Sequence, residues 1–220
     1  MNKILSAIIL SLFLASPSIA QTVSYEKNTS ENGIESGDIK NLDNVTKVNI
    51  SYDFKNMVIG AKSVGGEGHI SEADYIAKKS DLIEKDEKGK GEEFKKNWEE
   101  GKSGSYQKEF ERLFNQYATK DIKMTGSNNS SDADYNLIVK TTKIEPGYRM
   151  GMVKALPYID AEFIFTDKSG KELVRLFFKS ILPSAVGAPV YMMSKQIEPS
   201  YAKAAKKLVE YIEDARKGKK

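Results

Sequence analysis

Residues 158–181 read YIDAEFIFTDKSGKELVRLFFKSI. Ile159, Ala161, Phe163 and Phe165 fall at every second position, on one face, and after the polar stretch TDKSGKE the same spacing resumes at Val174, Leu176 and Phe178. A period of two sends successive side chains to opposite sides of a strand, so each run is a strand with one face turned to a core. Asp167 at the front and Gly170 at the back of the short connection suit a tight turn, which makes the two strands an antiparallel hairpin.

The same reading extends upstream. Residues 134–144 are β-branched and alternating, which gives a third strand. In VTKVNISYDF, residues 45–54, Val48, Ile50, Tyr52 and Phe54 oppose Lys47, Asn49, Ser51 and Asp53, and this run is expected to be the first strand. Helical signals fill the interval. Ser71 with Asp74 three residues on resembles a capping box opening a short helix, and the Lys, Glu and Gly run over residues 84–91 breaks that helix. Beyond Gly104, the residues Tyr106, Phe110, Leu113, Phe114 and Tyr117 form one apolar stripe down a helix of about three turns. Near the end, Pro199 lies near a helix start, and Ile197, Tyr201, Ala205, Leu208, Ile212 and Ala215 step by threes and fours along an amphipathic C-terminal helix. This element order predicts an α+β fold, an α/β sandwich whose mixed, largely antiparallel sheet of four to five strands is covered by helices.

Residues 1–20, MNKILSAIILSLFLASPSIA, carry a lysine, a short apolar run and the small-residue ending Ser18-Ile19-Ala20, the pattern of a secretory signal peptide cleaved between Ala20 and Gln21. The apolar run falls short of the about 20 residues a bilayer span requires, and no later segment reaches that length. The expected location is periplasmic or secreted. Residues 21–44 are polar and aperiodic and are read as a flexible mature N-terminus, followed by a single α/β domain over residues 45–220. There is no cysteine, which excludes both disulfides and a cysteine-linked lipid anchor. The 34 basic against 31 acidic residues give a formal charge of +3, far from the balance of a dedicated nucleic-acid binder.

Chemical motifs are sparse. His69 is the sole histidine, follows glycines and is read as a loop residue rather than a catalytic base. SVGGEGHIS matches neither glycine-rich phosphate-loop spacing and lacks the lysine that would reach a phosphate. Asp132, Asp134 and Asn136 begin like a calcium loop, but Leu137 and Lys143 stand where that loop needs glycine and glutamate. No cofactor or metal is expected. Trp98, Tyr106 and Phe110 could suggest a sugar platform, although helical spacing assigns the last two to the core. The basic ending ARKGKK is read as a frayed, solvated tail.

MVIGAK, SEADYIAKK, Trp98 in a charged helix, FERLFNQY, ADYNLIVKTTKIEPGY and IEPSYAKAAKKLVEYI together resemble a family of secreted, uncharacterised proteins of Bacteroidetes-type bacteria. The order strand, helices, strands, helix is also similar to the periplasmic modules of outer-membrane assembly and curli-export lipoproteins, from which this chain departs in having no cysteine to lipidate. The resemblance implies an envelope binding or assembly factor and carries over no catalytic residue. The candidate partner-binding loop is Glu145, Pro146, Gly147, Tyr148, Arg149, Met150 and Met152, where Pro-Gly suits a type II turn and the following residue types are common at protein interfaces. The expected function is therefore non-enzymatic binding of an envelope protein or small ligand. The alternative is an envelope polysaccharide or peptide hydrolase with a carboxylate pair about 5 to 10 Å apart.

Overall fold

The computed structural model describes residues 32–150, 152–183 and 192–219, so the expected signal peptide and residues 21–31 lie outside it. Ten strands and four helices follow in the order β1 (Gly33–Gly37), β2 (Lys47–Asp53), β3 (Val58–Gly60), β4 (His69–Ser71), α1 (Glu72–Asp86), α2 (Lys90–Glu100), α3 (Tyr106–Asp121), β5 (Thr125–Ser127), β6 (Tyr135–Glu145), β7 (Tyr148–Met150), β8 (Val153–Ala155), β9 (Tyr158–Asp167), β10 (Glu172–Ile181) and α4 (Met193–Arg216). The class is α+β. The sheet has eight strands where four to five were expected, in the order β1-β10-β9-β6-β2-β5, with β3 also pairing β6 and β4 pairing β3; β7 and β8 pair with each other alone.

The long strands follow their periodicity. In β9, Ile159, Ala161, Phe163 and Phe165 have no exposed surface, and across the antiparallel register Val174 and Leu176 of β10 are equally buried. The connecting turn is closed by Asp167 Oδ1, which accepts from the Ser169 and Lys171 N–H groups, and Gly170 takes φ +87°. β6 runs antiparallel to β9 but parallel to β2, so the chain must cross over between β2 and β6, and α1, α2 and α3 lie in that crossover.

The missed strands are short. β3, β4 and β5 have three residues each, too few for a period of two to register. The first strand is β1, upstream of the expected one, and the segment read as flexible through Asn44 is anchored from Gly33 onward. Backbone pairing of β1 with β10 needs no apolar alternation, while Ile39 and Leu42 in the following 3-10 turn are buried.

α3 and α4 pack side by side over the apolar face of the sheet. Tyr106 stacks on Tyr201 with centroids 4.6 Å apart, and Phe110 lies between Phe114 and Phe163, each ring 6.0 Å away. Leu208, Val209 and Ile212 of α4 are fully buried, as the stripe required. Pro199 sits inside α4, in its second turn; six helical residues precede it, and Ile197 among them is fully buried, so tertiary packing carries the helix past the missing N–H. Ser71 caps α1 as expected, its Oγ accepting from the Asp74 N–H at 3.1 Å. A π-helical turn, Gly101–Ser105, joins α2 to α3.

Candidate functional site

The loop singled out in the sequence is a hairpin. After β6 ends at Glu145, Pro146 and Gly147 turn the chain, β7 and β8 pair in the register Tyr148 to Ala155, Arg149 to Lys154 and Met150 to Val153, and Pro157 leads into β9. Gly147 has φ +74°, and a Cβ there would meet the Ala155 carbonyl at 2.7 Å and the Pro157 nitrogen at 2.9 Å, so the sharp turn depends on glycine. Pro146 and Gly147 are buried, Tyr148 is half-buried and Met152, between the two strands, is fully exposed. Arg149 and Met150 are placed by their backbone on β7.

Register explains what surrounds the foot of this hairpin. Ile59, Ile70, Ile144 and Ile159 are neighbours across β3, β4, β6 and β9, and all four are buried in the core. Moving one residue along each strand switches faces. The next row is His69, Gly60, Glu145 and Tyr158, and on the other side of the isoleucines lies the pair Lys143 and Asp160. A chain segment rich in strand formers thus carries a cluster of ionisable groups on the face opposite the core. Lys143 Nζ donates to Tyr158 Oη at 2.8 Å and lies 4.9 Å from that ring's centroid, while Lys62 Nζ lies 5.6 Å from the Tyr148 ring.

Glu145 has the most constrained position in this cluster. Its carboxylate fills the space that a side chain at Gly60 would need, and its Oε1 is buried with no hydrogen-bond partner. Burial pushes its pKa up, a push reinforced by Asp160 and opposed by Lys143, the nearby Gly147 amide and Lys62. His69 is shifted the other way: burial and then Lys143 disfavour its cation, against Asp160. It belongs to β4 rather than to a loop, because pairing with Gly60 extends the β3–β4 arm up to it. Asp160 has no exposed surface, and its Oδ1 accepts from the Ser180 N–H at 2.7 Å.

The structure therefore unites Glu145, Gly147 and Tyr148 with Lys62, His69, Lys143, Tyr158 and Asp160, which sequence reasoning did not select. One signal was available: Lys143, Asp160 and Glu162 are charged residues inside runs otherwise read as strands. The sugar-platform trio is not a surface, since Trp98, Tyr106 and Phe110 are 1% exposed or less. Among the described residues no group of three or more histidine, cysteine, aspartate or glutamate side chains is placed to hold a metal.

The Gly60 contact is directly testable. Gly60→Ala should destabilise the protein by about 1–3 kcal/mol through overpacking against Glu145. The double variant Gly60→Ala/Glu145→Ala should lose less than the sum of the two single variants in urea titrations. Additive losses would show that the two positions do not touch.

Compared with protein-family models, curated proteins and solved structures, the chain matches none.

Proposed function

We propose that this protein is a non-enzymatic, exported binding factor of the cell envelope that holds a partner protein at the β7–β8 hairpin and the adjoining end of the sheet. The observation that carries this reading is the gathering of exposed apolar side chains at that end. Among the described residues, Met152, Leu156 and Leu182 are three of the five large hydrophobics left exposed. Leu156 leaves β8, and Leu182 follows Ile181, the register partner of Ile159 at the start of β9. Apolar groups concentrated at one edge of a polar surface are the usual composition of a protein contact site, and methionine adapts to varied partners. The resemblance of the chain to secreted Bacteroidetes-type proteins and its leader-like N-terminus agree with an envelope role.

The alternative, a hydrolase with paired carboxylates, would be built on Glu145 and Asp160. Asp160 is fully buried and engaged with the Ser180 backbone, so it offers a substrate no accessible oxygen, which favours the binding reading.

The test is a comparison of the parent with Tyr148→Ala/Met152→Ala, each immobilised and challenged with detergent-solubilised envelope proteins, with crosslinking and quantitative mass spectrometry. The variant should keep the parent's melting temperature and retain the captured partner at least about tenfold less well, the loss expected when an aromatic anchor worth over 1.4 kcal/mol is truncated. Equal capture by the two proteins would remove the hairpin from consideration. Hydrolysis of an envelope polymer by the parent that disappears in Glu145→Gln would replace the binding reading with the enzymatic one.

A further inference from the structure

We propose that Glu145 is a pH-sensitive latch at the foot of the β7–β8 hairpin, closing the hairpin root against the β3–β4 arm when protonated and loosening it when ionised. The geometry sets this up in three ways. Glu145 is the last residue of β6, so its side chain sits where the chain leaves the eight-stranded sheet for a hairpin that pairs with nothing but itself. Its carboxyl group is lodged against Gly60 of the arm, two residues before the glycine turn that opens the hairpin. Its Oε1 is buried without a hydrogen-bond partner, an arrangement tolerable for a neutral acid and costly for a carboxylate.

The groups around it limit the effect without cancelling it. Lys143 on β6 and Lys62 in the turn after β3 favour the ionised form, but Lys143 Nζ is already engaged by Tyr158 and Lys62 lies over the Tyr148 ring. Asp160 on β9 opposes ionisation. Tyr75 on α1 is itself held neutral by burial, and burial and Lys143 hold His69 on β4 toward its neutral form. The sign follows from linkage. A carboxyl whose folded-state pKa lies above its unfolded value binds more protons when docked than when released. Docking is therefore strongest at low pH and weakens as pH rises through the folded value. In life this would regulate the binding surface proposed above, and it rests on that reading for its use but not for its measurement.

Hydrogen exchange on the isolated protein tests the latch with no partner present. Protection of the Gly147, Tyr148 and Ala155 amides, referenced to β9 amides of the same sample, should fall by about fivefold between about pH 5 and about pH 8 in the parent and stay level in Glu145→Gln. If the Glu145→Gln chain does not fold, the parent's own profile decides. A parent profile that stays level, or an equal fall in Glu145→Gln, overturns the latch. Such a failure leaves the partner-capture result standing, and loss of the partner reading leaves the exchange profile standing.

Discussion

Replacing Phe163 with alanine is expected to cost about 3–5 kcal/mol, a large share of the about 5–15 kcal/mol that holds a domain folded. Phe163 lies in the middle of β9 with no exposed surface. Its ring stacks on Phe110 of α3 at 6.0 Å and meets Phe178 of β10 at 5.3 Å, so it joins two sheet strands to a helix. Truncation removes the transfer energy of the ring and leaves a cavity that three rigid elements cannot close together. Urea unfolding followed by circular dichroism should show the midpoint falling with an unchanged slope. A midpoint equal to the parent's would mean that α3 is not docked on the sheet at this ring.

Trp98→Ala should have a comparable effect, about 3–5 kcal/mol, at the other end of the core. The indole is packed against Tyr75 at 5.3 Å and Phe94 at 6.0 Å, and its Nε1–H donates to Glu72 Oε1 at 2.6 Å. Glu72 opens α1 and also receives Lys102 from the π-helical turn, so one tryptophan ties the start of α1, the body of α2 and the turn into α3. Trp98→Phe retains most of the ring but not the donor and should fall between the parent and Trp98→Ala. Because Trp98 is the sole tryptophan, the unfolding must be read by circular dichroism. Full stability of the alanine variant would detach the α1–α2 pair from the core.

The hairpin that opened the sequence reading is where it was expected to within one or two residues, as are β2, β6 and the buried stripe of α4, down to Leu208 with no exposed surface, while α1 and α3, with 15 and 16 residues, run longer than expected. Each of these is a local pattern: six to twenty residues are enough for a period of two or 3.6 to declare which side faces a core. The Ser71 cap was equally legible, because its partner is three residues away. β1, β3, β4, β5, β7 and β8 were not. Three to five residues carry no measurable period, and their strand character comes from backbone hydrogen bonds to segments far along the chain.

The candidate site divides along the same line. The sequence by itself determined that Pro146 and Gly147 form a turn and that a residue rich in interface chemistry, Tyr148, follows it. It also determined, from the lack of cysteine, that neither a disulfide nor a thiol nucleophile can come from this sequence. Only the tertiary structure decided that Glu145 would lie against Gly60, 85 residues upstream, with Lys143, Tyr158 and Asp160 around it. Strand register is the physical reason. A shift of one residue would have sent these side chains to the core and the neighbouring isoleucines to the surface, and that choice is made by burying Ile59, Ile70, Ile144 and Ile159 together, which no single stretch of sequence contains.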